Sequence, residues 1–192
     1  MEFVCSDPDA AVRGANVKAT LGAFQLAPAR GRDLLERHHL TPDALEPDAF
    51  VPLQPWLDAL RDIQRDVGPT KVRLVGSFAV ENAYIPAVFA DAEALVMAVD
   101  DLHRKNHRGD VGGYTVARRS DGALEVRCQT PYPRMFEWGL VGGLCNNQRF
   151  RRGRRFEVEF IEAPAGAAHS CTIVVRRRVG AVHAAPQRPP GL

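Results

Sequence analysis

The feature that most constrains this chain is a change of hydrophobic period near Gly109. Upstream, apolar residues recur at helical spacing. Trp56, Leu57, Leu60, Ile63 and Val67 form one stripe that ends at Gly68-Pro69, and Val72, Val75, Phe78 and Ala79 form a second that runs towards Pro86. Thr70 is placed to cap the second helix. A short helix is expected over 34–40, ahead of a loop punctuated by Pro42, Pro47, Pro52 and Pro55, and another helix from about Ala90. Downstream, Tyr114 and Val116 alternate with polar neighbours, Asp121-Gly122 supplies a tight turn, and 124–128 returns as a second strand. Helical spacing reappears over 135–145, and two more alternating runs follow, Phe156/Val158/Phe160 and Cys171/Ile173/Val175. Helices gathered first and strands second predict an α+β domain, its helical N-terminal half packed on a C-terminal four-stranded antiparallel sheet of order β-β-α-β-β along the chain. The 192 residues suffice for one such unit. The expected organisation is a flexible segment over 1–16, a single ligand-binding-type domain over 17–178 and a disordered tail over 179–192, rich in Pro, Ala and Gly.

Charge decides little: 25 Lys+Arg against 23 Asp+Glu leave a formal +2, so binding to nucleic acid or an anionic membrane would need a local patch. The early acidic residues Glu2, Asp7 and Asp9 do not resemble a secretory leader, no run approaches membrane-spanning length, and the four dispersed cysteines do not form a disulfide framework. A cytoplasmic protein with reduced thiols is expected. P-loop, GxSxG and HExxH motifs do not occur, which disfavours a conventional enzyme.

Four constellations are candidates for function. Leu95, Ala98, Val99, Leu102 and His103 share one helical stripe, and His107 stands one turn beyond. The pair fits a metal or haem-iron ligand, with His103 the metal candidate, and equally fits imidazoles placed against the last carbonyls of a helix. The glycines Gly139, Gly142 and Gly143 each weaken a helix by about 1 kcal/mol relative to alanine, which points to close approach by the sheet or to a small-residue wall beside a ligand. Arg149, Arg151, Arg152, Arg154 and Arg155, interrupted by Phe150, form either an anion-binding loop able to stack bases or a solvated, salt-paired turn. Cys128, Cys145 and Cys171 with His169 make a zinc site conceivable, against the commoner reading of buried free thiols.

The order of elements resembles the ligand-binding superfamily of haem nitric-oxide/oxygen sensors (H-NOX-like), 4-vinyl reductase domains and TRAPP subunits. The likeness spans roughly 14–178 and is carried by 94–107, the hairpin, the stretch Pro131-Tyr132-Pro133-Arg134-Met135-Phe136-Glu137-Trp138-Gly139-Leu140, and the last two strands. The resemblance implies an apolar cavity in a sensory or scaffolding domain, with haem in one branch and an acyl chain in another. Leu102-His103 is similar to the Leu-His of the haem branch, which makes His103 the candidate iron ligand. The Tyr-x-Ser-x-Arg signature that holds the haem propionates is not kept at Cys128-Gln129-Thr130-Pro131-Tyr132, and Tyr114-Thr115-Val116-Ala117-Arg118 is a poor substitute on the earlier strand. The cysteine cluster of the 4-vinyl reductase branch is reduced to Cys145 and Cys171. The combined expectation is a non-enzymatic sensory or regulatory domain with a small apolar or haem-like ligand among Trp56, Leu60, Phe78, Val99, His103, His107, Phe136, Leu140 and Gly143. Its expected partner is a second copy or a separate signalling protein. The rivals are an interaction scaffold with a filled interior and, last, a nucleic-acid binder.

Overall fold

A computed structural model describes residues 2–163 and 171–178. The chain opens with β1 (Ala11–Arg13) and α1 (Gly14–Ala23), followed by α2 (Pro28–Glu36), a short 3-10 turn and β2 (Phe50–Pro52). Then come α3 (Leu53–Asp66), α4 (Pro69–Asn82), α5 (Ala92–Met97), α6 (Val99–Asn106) and β3 (His107–Arg108). The second half holds β4 (Gly113–Arg118), β5 (Leu124–Gln129), α7 (Arg134–Asn146), α8 (Gln148–Arg151), β6 (Arg155–Glu162) and β7 (Cys171–Arg178). The fold is α+β, as the change of period requires. Its larger sheet is antiparallel, of spatial order β4-β5-β7-β6, and a small three-stranded sheet, β2-β1-β3, clasps the helical half.

Several local expectations are corrected. The segment expected to be loose is tied in: β1 lies between β2 and β3, and Gln54 and Arg61 side chains both donate to the Phe3 carbonyl. Backbone pairing, which apolar patterning does not record, does this. The helix expected over 34–40 starts earlier because Pro28 occupies its first turn, and it ends at Glu36. Thr70 does not cap α4: Gly68, at φ 112°, turns the chain, and Pro69 enters as the first helical residue. The helix expected from Ala90 breaks at Ala98 into α5 and α6, and the arginine run begins inside a helix of its own, α8. The tail expected over 179–192 lies outside the described residues.

Two apolar cores meet along α7. One is helical, built from α1, α3 and α4 around Trp56, Leu60, Val75, Tyr132 and Phe136; the other lies between the helices and the larger sheet, around Leu95, Val126, Val141, Leu144 and Ile173. Gly139 and Gly143 of α7 serve the helical contact, whereas Gly142 has open space over it. A Cβ at Gly139 would lie 1.8 Å from the Arg73 carbonyl oxygen, and one at Gly76 would lie 2.1 Å from that of Phe136, so α4 and α7 touch backbone to backbone. Close approach to a neighbouring helix, rather than to the sheet or a ligand, explains Gly139. Among the described residues no helix is long and apolar enough to cross a membrane.

Candidate functional site

The apolar stripe of α5 and α6 carries His103 inward, leaving it 5% exposed beside Val99 and Leu102. His107 does not continue the helix. It is extended, at φ −134°, and enters β3, where pairing with Val12 fixes its backbone. Its ring folds back beneath His103, with centroids 4.1 Å apart. His107 Nδ1 donates to the His103 carbonyl at 2.8 Å, and Nε2 accepts the Tyr132 hydroxyl proton at 2.6 Å. Both nitrogens are therefore committed, and the pair cannot chelate a metal as packed. Among the described residues no group of three or more His, Cys, Asp or Glu is placed to hold one.

His103 is different. The Val111 backbone accepts one ring proton, while Nε2 is buried and has no partner. Burial, and secondarily the neighbouring His107, drive the His103 pKa well below its ordinary value. Burial likewise takes His107 down to about 4. Both imidazoles are neutral at pH 7, and Nε2 of His103 presents a lone pair.

His103 lines a cavity of about 50 Å³ at the seam of the two cores. One wall is aromatic: Tyr132 stacks on Phe136 with centroids 4.6 Å apart, and Trp56 meets each ring edge-on at 5.5 Å. Trp56 stays in place by donating to the Thr20 hydroxyl at 3.2 Å. Of the expected lining residues, His103, His107, Trp56, Val99, Phe136 and Leu140 reach the cavity, whereas Leu60, Phe78 and Gly143 do not. Leu60 is spent in the helical core. Phe78 fills the space over Gly22 of α1, and Gly143 faces the Ser77 carbonyl and Val80 of α4.

The sequence reading missed four polar residues here. Asn16, on α1, lines the cavity and is 5% exposed, with its Oδ1 unpartnered. Tyr114 and Tyr132 also line it, and Glu137, fully buried behind them, accepts from the Tyr114 hydroxyl at 2.7 Å and from the Thr130 hydroxyl. Burial pushes the Glu137 pKa up to about 7, against the pull of those two hydrogen bonds. One signal was available: Glu137 is the only charged residue between Arg134 and Arg149. Asn16 had none, because α1 has no clear amphipathic stripe.

The residues present fit haem in one respect only. The His103 lone pair suits an iron ligand, but the cavity is smaller than the ~150 Å³ that accepts a single benzene, and no Lys or Arg lines it to hold a propionate. Arg134, beyond Tyr132, instead donates through its backbone and Nε to Glu2 at 2.8 Å and pairs with Glu162. As packed, the interior does not fit a porphyrin.

The arginine run is a separate surface. Arg154 pairs with Asp91, and Phe150 turns inward, 5% exposed, against Phe89, so it cannot stack a base. Arg149, Arg151, Arg152 and Arg155 have no ion pair among the described residues. The cysteines are distributed otherwise than a zinc site needs: Cys128 and Cys171 face each other across β5 and β7 and hydrogen-bond, Cys145 lies buried elsewhere in the same core, and His169 lies outside the described residues.

No family model matches the chain, and no curated protein sequence matches it. Solved structures do. An H-NOX protein from S. oneidensis in the Fe(II)NO ligation state superposes with a TM-score of 0.64 at 17% identity, covering 87% of this chain and 99% of that one. A point mutant of T. tengcongensis H-NOX gives 0.64 at 14% identity, with 87% and 98% covered. An oxygen-binding H-NOX domain related to soluble guanylate cyclases, in its oxygen complex, gives 0.63 at 14% identity, with 86% and 93% covered. This chain has an H-NOX-like fold.

Proposed function

We propose that this chain is a non-enzymatic sensory or regulatory domain that uses the H-NOX-like architecture without haem and binds a small, largely apolar ligand beside His103. The observation that carries the reading is the unpartnered, buried Nε2 of His103, a residue that lines an apolar cavity. A buried polar atom left without a hydrogen bond costs about 1–3 kcal/mol, an expense that a ligand removes on binding. Occupancy in turn reaches both cores, because α7 and the aromatic wall border the cavity on one side and α6 on the other. A change there can pass to a partner, either a second copy or a separate signalling protein, in the cytoplasm.

The test is native mass spectrometry of the purified chain, combined with titration of haem under absorbance. The reading expects a small bound molecule, or uptake of one, that His103→Ala abolishes, and no Soret band. A Soret band lost in His103→Ala would establish haem instead. The small volume of the cavity favours a second reading, a scaffold with a filled interior, whose signature is a stable ligand-free dimer.

A further inference from the structure

A second concavity lies on the seam of two helices. α4 and α7 run side by side in the same direction, Arg73 over Gly139 and Ser77 over Gly143, and residues of both line a groove of about 510 Å³. That volume suits a small organic ligand, and the groove shares no lining residue with the cavity at His103. At one end the Arg73 guanidinium lies over the Trp138 indole, 3.6 Å from the ring centroid. Trp138 is itself held, donating to the Val158 carbonyl at 3.2 Å. Stacking occupies a face of the guanidinium and leaves its N–H fork available; among the described residues those donors have no hydrogen bond or ion pair. Gly142 lies between the two ends. A Cβ there would meet nothing within 4 Å, so packing does not explain a glycine that weakens the helix by about 1 kcal/mol relative to alanine. At the far end, eight residues of α4 or about 12 Å away, Glu81 and Arg149 line the groove together with Asn146, Asn147 and Gln148. Asn146 Nδ2 donates to the Gly142 carbonyl at 2.9 Å, and Asn147 Oδ1 accepts from the Arg149 backbone at 3.1 Å. The Asn146 oxygen, the Asn147 NH2 and the whole Gln148 carboxamide stay open among the described residues, a set of donors and acceptors alike.

We infer that this groove is a second ligand site, for a phosphate monoester of nucleotide size. The phosphoryl oxygens sit on the Arg73 fork, the body lies over Gly142, and the polar edge of the heterocycle meets the amides of Asn146, Asn147 and Gln148. Two guanidiniums against one carboxylate draw an anion in. Glu81 repels it from the Arg149 end, which leaves Arg73 as its seat. An arginine fork matches phosphoryl oxygens bidentately. A carboxamide that both donates and accepts matches the edge of an adenine.

AMP and adenosine form a matched pair that differs in the phosphoryl group alone. In the full-length chain labelled at nitrogen, AMP should shift the Trp138 indole N–H resonance saturably and leave that of Trp56, at the interior cavity, in place. Adenosine should bind about tenfold more weakly, the loss of one charge-assisted interaction. Arg73→Gln should bring AMP down to the adenosine level, and Gly142→Leu, which fills open space, should abolish the binding of both. Equal binding of AMP and adenosine would overturn the phosphate seat. Inorganic phosphate binding as tightly as AMP would overturn the nucleotide size. No shift at Trp138, or a shift that survives both substitutions, would overturn the site itself. AMP, adenosine and inorganic phosphate compared on the unsubstituted chain decide the matter should either variant fail to fold. None of these outcomes bears on the ligand proposed at His103, because the two sites have no lining residue in common.

Discussion

Two buried titratable groups lie within one region of this fold and are treated in opposite ways. Glu137 is fully buried and satisfied: Tyr114 from the hairpin and Thr130, the residue after β5, both donate to its carboxyl. His103 is also buried and lines a cavity, yet one of its nitrogens has no partner. The comparison separates a polar group that holds the structure together from one kept available. A satisfied network stitches α7 to the sheet, and its residues contribute to stability; an unsatisfied atom contributes nothing to stability and is explained by what it binds.

The largest expected effect follows from breaking the satisfied member. Glu137→Ala leaves the Tyr114 and Thr130 hydroxyls without an acceptor and opens a void beneath α7, so urea unfolding should show a loss of about 4 kcal/mol. A loss below about 1 kcal/mol would mean that the network is not structural, and the contrast with His103 would disappear.

The same residue sharpens the comparison through pH. Glu137 has a folded pKa of about 7 against an ordinary 4.5, so the native state holds its proton more tightly. Its contribution is complete below the unfolded value and is lost as pH rises through about 7. His107 runs the other way: its folded pKa of about 4 lies below 6.5, so its contribution is present above 6.5 and is lost as pH falls through about 4. Glu137→Gln removes only the first dependence. Between pH 5 and pH 8 the stability difference should move in favour of the glutamine variant by roughly 2 to 3 kcal/mol. An unchanged difference would show that the carboxyl titrates normally.

Tyr132 stands between the two cases, because its hydroxyl satisfies His107 while its ring walls the cavity. Tyr132→Phe keeps the stack on Phe136 and leaves His107 Nε2 without a donor, for an expected loss of about 2 kcal/mol in the same unfolding assay. No loss would imply that His107 finds another donor.

How much of this was legible depends on the kind of interaction. The succession of the larger sheet's strands along the chain, the helices α3, α4 and α7, and the inward face of His103 follow from period alone, since burial of an apolar stripe decides them; the spatial order β4-β5-β7-β6 does not. The small sheet was not legible: strands of two or three residues carry no period, and β1 is held by pairing with segments distant in sequence. His107 was assigned to the right neighbourhood for the wrong reason. Its ring reaches His103 from an extended segment rather than from a further helical turn. Gly139 announced a close approach, but which element approached was a tertiary fact. Asn16 and the partners of Glu137 were beyond reach for the same reason, because a hydrogen bond between distant elements leaves no trace in local spacing.

The smallest expected effect is the one that most directly tests the contrast. Replacing a buried, satisfied polar residue by an apolar one normally destabilises, but His103 has a nitrogen whose dehydration is uncompensated, and removing it removes that cost. Against this gain stand the lost contact to the Val111 backbone and the lost packing over His107. The two sides are of similar size, so His103→Leu should unfold within about 1 kcal/mol of the parent chain. A loss approaching that of Glu137→Ala would mean that His103 is as structural as the carboxyl, and the cavity would then be a packing defect rather than a site.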